Sequence, residues 1–537
     1  MTSAALDAQP RFFSALKCAA PAMVIAALLL LPFLNTPFTI DDPIFLREAQ
    51  HVLTDPLHPQ AIDMVWSADV TRRASDIQPG GLAAPYLLVP TILAGNAEWV
   101  GHLTQLLLFE IAIVAVVLAA FRLRMDAKQA GFAALLVATC PAALGMAETV
   151  MPDIAGMLWS LLGMERLLCW REQRKWPAGL LGALWLTLAA LTRPHTILIL
   201  AAAFVLLLDG ITREEIRASF ADFPARFVPL LLVPIGYFAG SYALGDPDAT
   251  GEGILATIGF PGGLILHNGL AFATHWLVLM PLTLPWLVIR YKALSTKILL
   301  IAAVGASVLA IRYGWLAFAA AATAVALVDI AWDAVQRRDR VQLGLWLWLW
   351  LALPIVIYVH LPSKYLLPSL PAAAMLVMRR LPDEYAQAKR WLIPATAAAG
   401  AILGVLILIG IRDLAQIQKR AVAELVVPHV RRGERVWFAG HWGFQWYAEN
   451  AGATPVTLEP PLPQHGEVIV VSYADFPRFA PRWTARRVIQ SVTYPGNGVG
   501  RVMDAAGGAG FFSNPWGFLP WVWGKGGANR FEVWEVE

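Results

Sequence analysis

The chain has 537 residues, 58% of them hydrophobic and only 15% charged, with a mean hydropathy of +0.58 and a formal net charge of +3. These values fall outside the range of soluble globular proteins, and the small charge, without a Lys/Arg stripe or stacked aromatic motif, excludes nucleic acid as a partner. Cys18, Cys140 and Cys169 sit in apolar segments with neither metal-ligand spacing nor a disulfide framework, which argues against redox chemistry.

Apolar stretches close to the roughly 20 residues that cross a bilayer recur along the chain. They predict an all-α polytopic membrane protein of about thirteen spans. The spans are placed at 18–34, 101–121, 130–147, 154–170, 177–192, 194–209, 226–244, 271–289, 298–311, 314–332, 342–360, 365–379 and 391–411. The first follows Arg11 and Lys17 as a secretory signal would. Asn35-Thr36-Pro37-Phe38 offers no small-residue cleavage pattern, so this stretch is read as a retained helix. Two breaks decide the count, at Thr192-Arg193-Pro194 and at Arg312-Tyr313-Gly314.

Residues 35–100 form a long outer loop carrying Asp41, Asp42, Glu48, Asp55, Asp63, Asp69, Asp76 and Glu98 against Arg47, Arg72 and Arg73. Within it, Leu82–Leu93 is apolar but short and holds two prolines, which predicts a helix lying along the surface. The Trp346-Leu347-Trp348-Leu349-Trp350 run reads as lipid-facing bulk near a helix end.

Charge sets the orientation. With a cytoplasmic N-terminus, the inner loops collect Arg122, Arg171, Arg213, Arg217, Arg290, Arg337, Arg379, Lys389 and other cations, while few fall outside. An odd number of spans then leaves the tail outside. Residues 1–411 are the membrane domain, and 412–537 are polar, rich in Gly, Pro and Trp, with strand-like runs at Arg435–Phe438 and Glu467–Val471. They predict a small extracytoplasmic α/β domain. Trp516, Trp521 and Trp523 suit either headgroup depth or the core of that domain.

Four polar spots share the outer side: Asp41-Asp42, the turn Glu148–Asp153, Arg193 with His195, and Lys364-Tyr365. Each has a plainer reading. Asp41-Asp42 before Pro43 and Asp153 after Pro152 could cap helices, Arg193 and Lys364 could reach to headgroups, and His195 could be an interfacial polar group. Together, early acids and later cations at one rim suit group transfer from an anionic carrier. A carboxylate takes the nucleophile's proton and cations stabilise the departing phosphate.

An acidic pair after the first span, an acid in the turn after the third, Leu191-Thr192-Arg193, and Lys364-Tyr365-Leu366-Leu367-Pro368 in that order resemble the GT-C glycosyltransferases. The likeness covers about residues 18–380 and is nearest to the bacterial protein O-mannosyltransferase-like branch and the aminoarabinose transferase of lipid A. Gly440–Gln445 looks like part of the outer domain that some bacterial members carry. The resemblance implies inverting sugar transfer from a polyprenyl-phosphate donor to a lipid, polysaccharide or protein acceptor outside the membrane, in a bacterial inner membrane. It implies that Asp41 is the base or positions the acceptor, with Asp42, where the family usually has Glu, and Asp153 in support. Arg193, Lys364 and Tyr365 would hold the donor phosphate, with Glu148 and His195 as further support. One departure is Gln78-Pro79-Gly80-Gly81-Leu82, where the family often has His-Pro-Pro-Leu. A divalent cation such as Mg²⁺ or Mn²⁺ on the acids is compatible with the residues, as is metal-free chemistry. The alternatives are a transporter or flippase for a lipid-linked glycan and a silent scaffold; the clustering of charges at span ends, away from the midplane, disfavours transport.

Overall fold

In a computed structural model, the protein is described over residues 8–66, 70–211, 225–250, 262–358, 360–384, 390–473, 486–524 and 529–537. Asp69, Arg213, Arg217 and Lys389 lie outside the described residues. The first half runs α1 (Ala8–Leu30), α2 (Asp42–Val52), α3 (Ala74–Ile77), α4 (Pro85–Leu93), α5 (Glu98–Arg122), α6 (Ala127–Ala138), α7 (Pro141–Ala147), α8 (Asp153–Gln173), α9 (Trp176–Thr192) and α10 (Ile199–Leu207). There follow α11 (Val228–Leu244), α12 (Gly262–Val278), α13 (Thr283–Arg290), α14 (Thr296–Tyr313), α15 (Leu316–Arg337), α16 (Arg340–Leu349), α17 (Leu370–Glu384), α18 (Leu392–Ala421), α19 (Val427–Arg431) and α20 (Trp442–Asn450).

Helix lies in each of the thirteen apolar stretches. Among the described residues, six helices are long and apolar enough to cross a membrane, or eight if two bent pairs each count as one span. Proline explains the shortening. A break before Pro141 bends α6 from α7 by 57°, and a break beside Pro281 bends the next pair by 66°. Pro194 ends α9, leaving Arg193 extended at φ −145°, ψ 102°, the conformation a following proline favours. The short apolar helix α4 has Leu88 and Thr91 buried and packs against α2. The tryptophan run is not lipid-facing as a whole. Trp348 is fully buried with its indole donating to the Pro368 carbonyl at 2.8 Å, because residues two apart on a helix point to opposite sides.

Opposite the Asp41 end of the bundle, several of the cations predicted for the inner loops are paired with acids. Arg122 meets Glu165 at 3.0 Å and Glu172 at 2.6 Å, and Arg379 meets Asp339 at 2.9 Å. Asp333 is contacted by Arg290 at 3.1 Å, Arg337 at 3.2 Å and Arg380 at 3.2 Å, so one buried carboxylate joins α13, α15 and α17. Asp333→Ala removes an acceptor shared by three guanidinium groups, although Arg290 keeps Asp329 at 3.0 Å, and a stability loss of about 1–3 kcal/mol is expected. Thermal unfolding of the purified protein checks this; an unchanged midpoint would show that the network adds nothing.

Beyond α18 a five-stranded mixed sheet has the order β2 (Thr454–Pro455), β1 (Val436–Ala439), β3 (Val468–Ser472), β5 (Asn529–Val536), β4 (Arg486–Tyr494). Strand alternation gives it two apolar faces. Val436, Phe438, Val470 and Phe531 pack with Phe444 of α20, while Trp437, Ala439, Ile469 and Trp534 face the other way. This region sits on the loop after α1: Tyr447 Oη accepts from the Phe38 amide at 2.8 Å, and Arg47 pairs with Glu449 at 2.5 Å. Trp516 and Trp521 pack against the main apolar core, whereas Trp523 is exposed.

Candidate active site

The chain turns sharply after the first span. Ile40 takes φ +49°, an unusual left-handed conformation for a β-branched residue. The turn is closed by the Thr39 amide donating to Asp42 Oδ2 at 2.9 Å and the Asp42 amide donating to the Thr39 carbonyl at 3.0 Å. Asp42 Oδ1 accepts from the Val150 amide at 2.9 Å. Both oxygens of this buried carboxyl therefore hold backbone, tying the loop after α1 to the turn before α8. Burial pushes it up to about 7, against the pull of the two amides.

Asp41 occupies the N-cap position of α2, yet its side chain makes no capping bond. It accepts from Lys364 Nζ at 2.6 Å instead. Burial alone would raise its carboxyl, but Lys364, with His360 and Arg193 beyond, holds it below the ordinary carboxylate range. Lys364 is raised in turn, its burial outweighed chiefly by Asp41.

Asp153, in the first turn of α8, meets Arg193 in a buried bidentate pair: Nε to Oδ1 at 3.0 Å and Nη2 to Oδ2 at 2.7 Å. Gly156, one turn on, leaves room for the Arg193 stem, whose Cγ lies 3.4 Å from where a Cβ would stand. Tyr365 lies between the two cations. Its ring centre is 5.5 Å from the Arg193 guanidinium carbon and 5.7 Å from Lys364 Nζ, and the His195 ring meets it edge-on at 5.3 Å.

Asp41, Arg193, His195, Lys364 and Tyr365 line one cavity of about 440 Å³. Of the residues singled out in the sequence, Asp42 and Asp153 stand behind it as braces. Glu148 is buried in the turn before α8, its carboxyl pushed well up by burial, and it does not line the cavity. Trp66, Tyr237, Tyr358 and His360 complete the wall without having been anticipated. His360 was within reach of sequence reasoning, four residues before Lys364 at the same helix end; Trp66 and Tyr237 carry no spacing signal.

Gln78, Pro79 and Gly80 also line the cavity, so the departure from His-Pro-Pro falls in its wall. Gly80 has φ +91°, closed to proline, and a Cβ there would stand 2.7 Å from Pro194 Cγ. Gln60 holds this loop, donating to the carbonyls of Gln78 at 3.1 Å and Gly80 at 2.9 Å and to buried Glu48 at 2.9 Å. Among the described residues no group of three or more His, Cys, Asp or Glu side chains is placed to hold a metal ion. Asp41 and Asp153 each point at a cation of the protein rather than converging, so the donor set does not fit a divalent ion and no step is derived through one.

Residues 83–238 match the family model described as dolichyl-phosphate-mannose-protein mannosyltransferase. That stretch contains Asp153 and Arg193 but neither Asp41 nor Lys364. Among solved structures, similarity extends to ArnT from Cupriavidus metallidurans bound to undecaprenyl phosphate, at 12% identity, TM-score 0.45, 88% of this chain and 96% of that one. It extends also to the oligosaccharyltransferase of Archaeoglobus fulgidus in the apo form, at 12% identity, TM-score 0.46, 82% of this chain and 64% of that one. A third is arabinofuranosyltransferase AftD from Mycobacteria, at 15% identity, TM-score 0.39, 97% of this chain and 40% of that one. No curated protein sequence matches significantly.

Proposed function

We propose that this chain, which resembles the GT-C membrane glycosyltransferases, moves a sugar from a polyprenyl-phosphate donor to an acceptor hydroxyl at the outer face of the membrane, with inversion. The observation that carries this reading is the placing of Asp41, Arg193 and Lys364 around Tyr365 on one cavity. The match of residues 83–238 to the mannosyltransferase model supports it independently.

In the resting protein each cation has an acid in contact. An arriving donor phosphate competes for Lys364 and for the open edge of Arg193, whose pair with Asp153 uses only Nε and Nη2. As Lys364 turns to the phosphate, Asp41 loses its partner and becomes more basic. Its carboxylate then takes the proton of the acceptor hydroxyl while that oxygen attacks the anomeric carbon from the face opposite the phosphate. The bond between sugar and phosphate breaks, and the two cations receive the charge left on the polyprenyl phosphate. A lipid-borne donor accounts for a membrane-embedded catalyst, because the tail partitions into the bilayer while the head reaches the cavity. A lipid, a polysaccharide or a protein can supply the hydroxyl, and the region 412–537 stands where it can contact any of them.

Incubating the purified protein with a panel of undecaprenyl-phosphate sugars and assaying free undecaprenyl phosphate tests the reading. Release with one of them is expected, and Lys364→Gln should raise the donor KM roughly 10- to 100-fold. Binding of the donor with no loss of the sugar–phosphate bond would point to transport instead.

A further inference from the structure

Tyr358 and His360 line the cavity from between two 3-10 segments, Trp350–Ile357 and Ser363–Ser369, and Lys364 lines it from the first turn of the second. Residues 360–362 lie in no helix, so something else must hold this stretch in place. One holding group, Asn514, lies 153 residues beyond Leu361, and another, Asn268, lies 90 residues before Tyr358. Asn514, which opens the 3-10 turn Asn514–Trp516, is buried and uses both ends of its amide. Its Oδ1 accepts from the Leu361 amide at 2.6 Å, and its Nδ2 donates to Asn268 Oδ1 at 2.8 Å. Asn268, fully buried on α12, donates through Nδ2 to the carbonyls of Val356 at 2.9 Å and Tyr358 at 2.7 Å. Two more contacts flank this relay: the Ser363 amide donates to the Phe511 carbonyl at 3.0 Å, and Ser513 Oγ lies 3.1 Å from His360 Nδ1.

An amide pair of this kind specifies one geometry. Each asparagine must present its oxygen to one partner and its nitrogen to another, and buried polar groups that lose a partner are costly. The backbone on both sides of His360 is thereby fixed by side chains of α12 and of the C-terminal region, and Lys364 follows three residues after the point where Asn514 grips. Lys364 must sit 2.6 Å from Asp41 at rest and still reach a phosphate.

We propose that Asn514 is a positioning residue for Lys364, so that the C-terminal segment 511–514 is a working part of the donor-phosphate site and not only of a peripheral domain. This rests on the donor reading given above. In the full-length protein, undecaprenyl phosphate binding followed by tryptophan fluorescence is expected to weaken about tenfold for Asn514→Ala, measured well below the unfolding midpoint that its unpaired buried groups lower. If Asn514 acts through Lys364, the same change in a Lys364→Gln background should add less than about twofold. An Asn514→Ala protein with unaltered affinity, or one losing the same factor in both backgrounds, overturns the proposal. Should Asn514→Ala fail to fold, Asn514→Asp keeps the acceptor for Leu361 and replaces the donor to Asn268 with an acidic oxygen. A several-fold loss of affinity is expected there, and none overturns the proposal. A parent protein that does not bind undecaprenyl phosphate overturns the donor reading and this one together; a parent that binds beside unaffected Asn514 variants overturns this one alone.

Discussion

Asp41→Asn is expected to lower transfer by about 10²–10⁴-fold while the protein still inserts and folds, because asparagine keeps the shape of the side chain and loses the base. The effect should lie in kcat more than in donor KM, since the donor reading has Asp41 facing the acceptor and not the phosphate. The pH profile gives a second check. In the free protein Lys364 holds the Asp41 carboxyl below its ordinary value, so the acid limb of kcat/KM should fall below the usual carboxylate range. Once donor phosphate has engaged Lys364, that depression is relieved and the carboxyl rises. The acid limb of kcat should therefore lie at higher pH than the limb of kcat/KM. Full activity of Asp41→Asn, or identical limbs, would remove Asp41 from proton transfer.

The Asp153–Arg193 pair should separate stability from activity. Asp153→Ala leaves a buried guanidinium without its carboxylate, and a loss of about 3–5 kcal/mol is expected, together with weakened transfer. Adding Arg193→Leu removes the stranded charge. The double variant should regain most of the lost stability, since a buried ion pair replaced by apolar groups is often neutral in folding, yet it should remain inactive for want of a phosphate ligand. Thermal unfolding and carrier release, measured on the same preparations, decide it. An active double variant would show that Arg193 has a structural role alone.

The helical stretches could be read from the sequence because an apolar run near bilayer length has few other uses, and the Arg193 turn because Pro194 leaves little else possible. The number of spans was harder. Proline at 141 and near 281 breaks runs that composition alone reads as continuous, and only geometry tells a bent span from two short helices. In the site, residue types and their shared end of the bundle were legible, but partners were not. Lys364 meets Asp41 across 323 positions, and no periodicity encodes such a contact. Asp41 and Asp42 are adjacent and alike in sequence; the left-handed turn at Ile40 sends one into the cavity and the other onto two backbone amides. Asn514 was invisible for the same reason, since a lone asparagine in a Gly-rich tail carries no pattern.

The mutual neutralisation of Arg193 and Lys364 by Asp153 and Asp41 has an outcome for selectivity. Orthophosphate or a nucleotide dissolved in the surrounding fluid must break a short buried contact using its charge alone. On the donor reading, an isoprenoid carrier is instead concentrated at the membrane by its hydrocarbon, about 0.8 kcal/mol for each methylene in the bilayer. Discrimination against soluble anions would then follow from the two ion pairs and the carrier's partitioning, with no moving gate required.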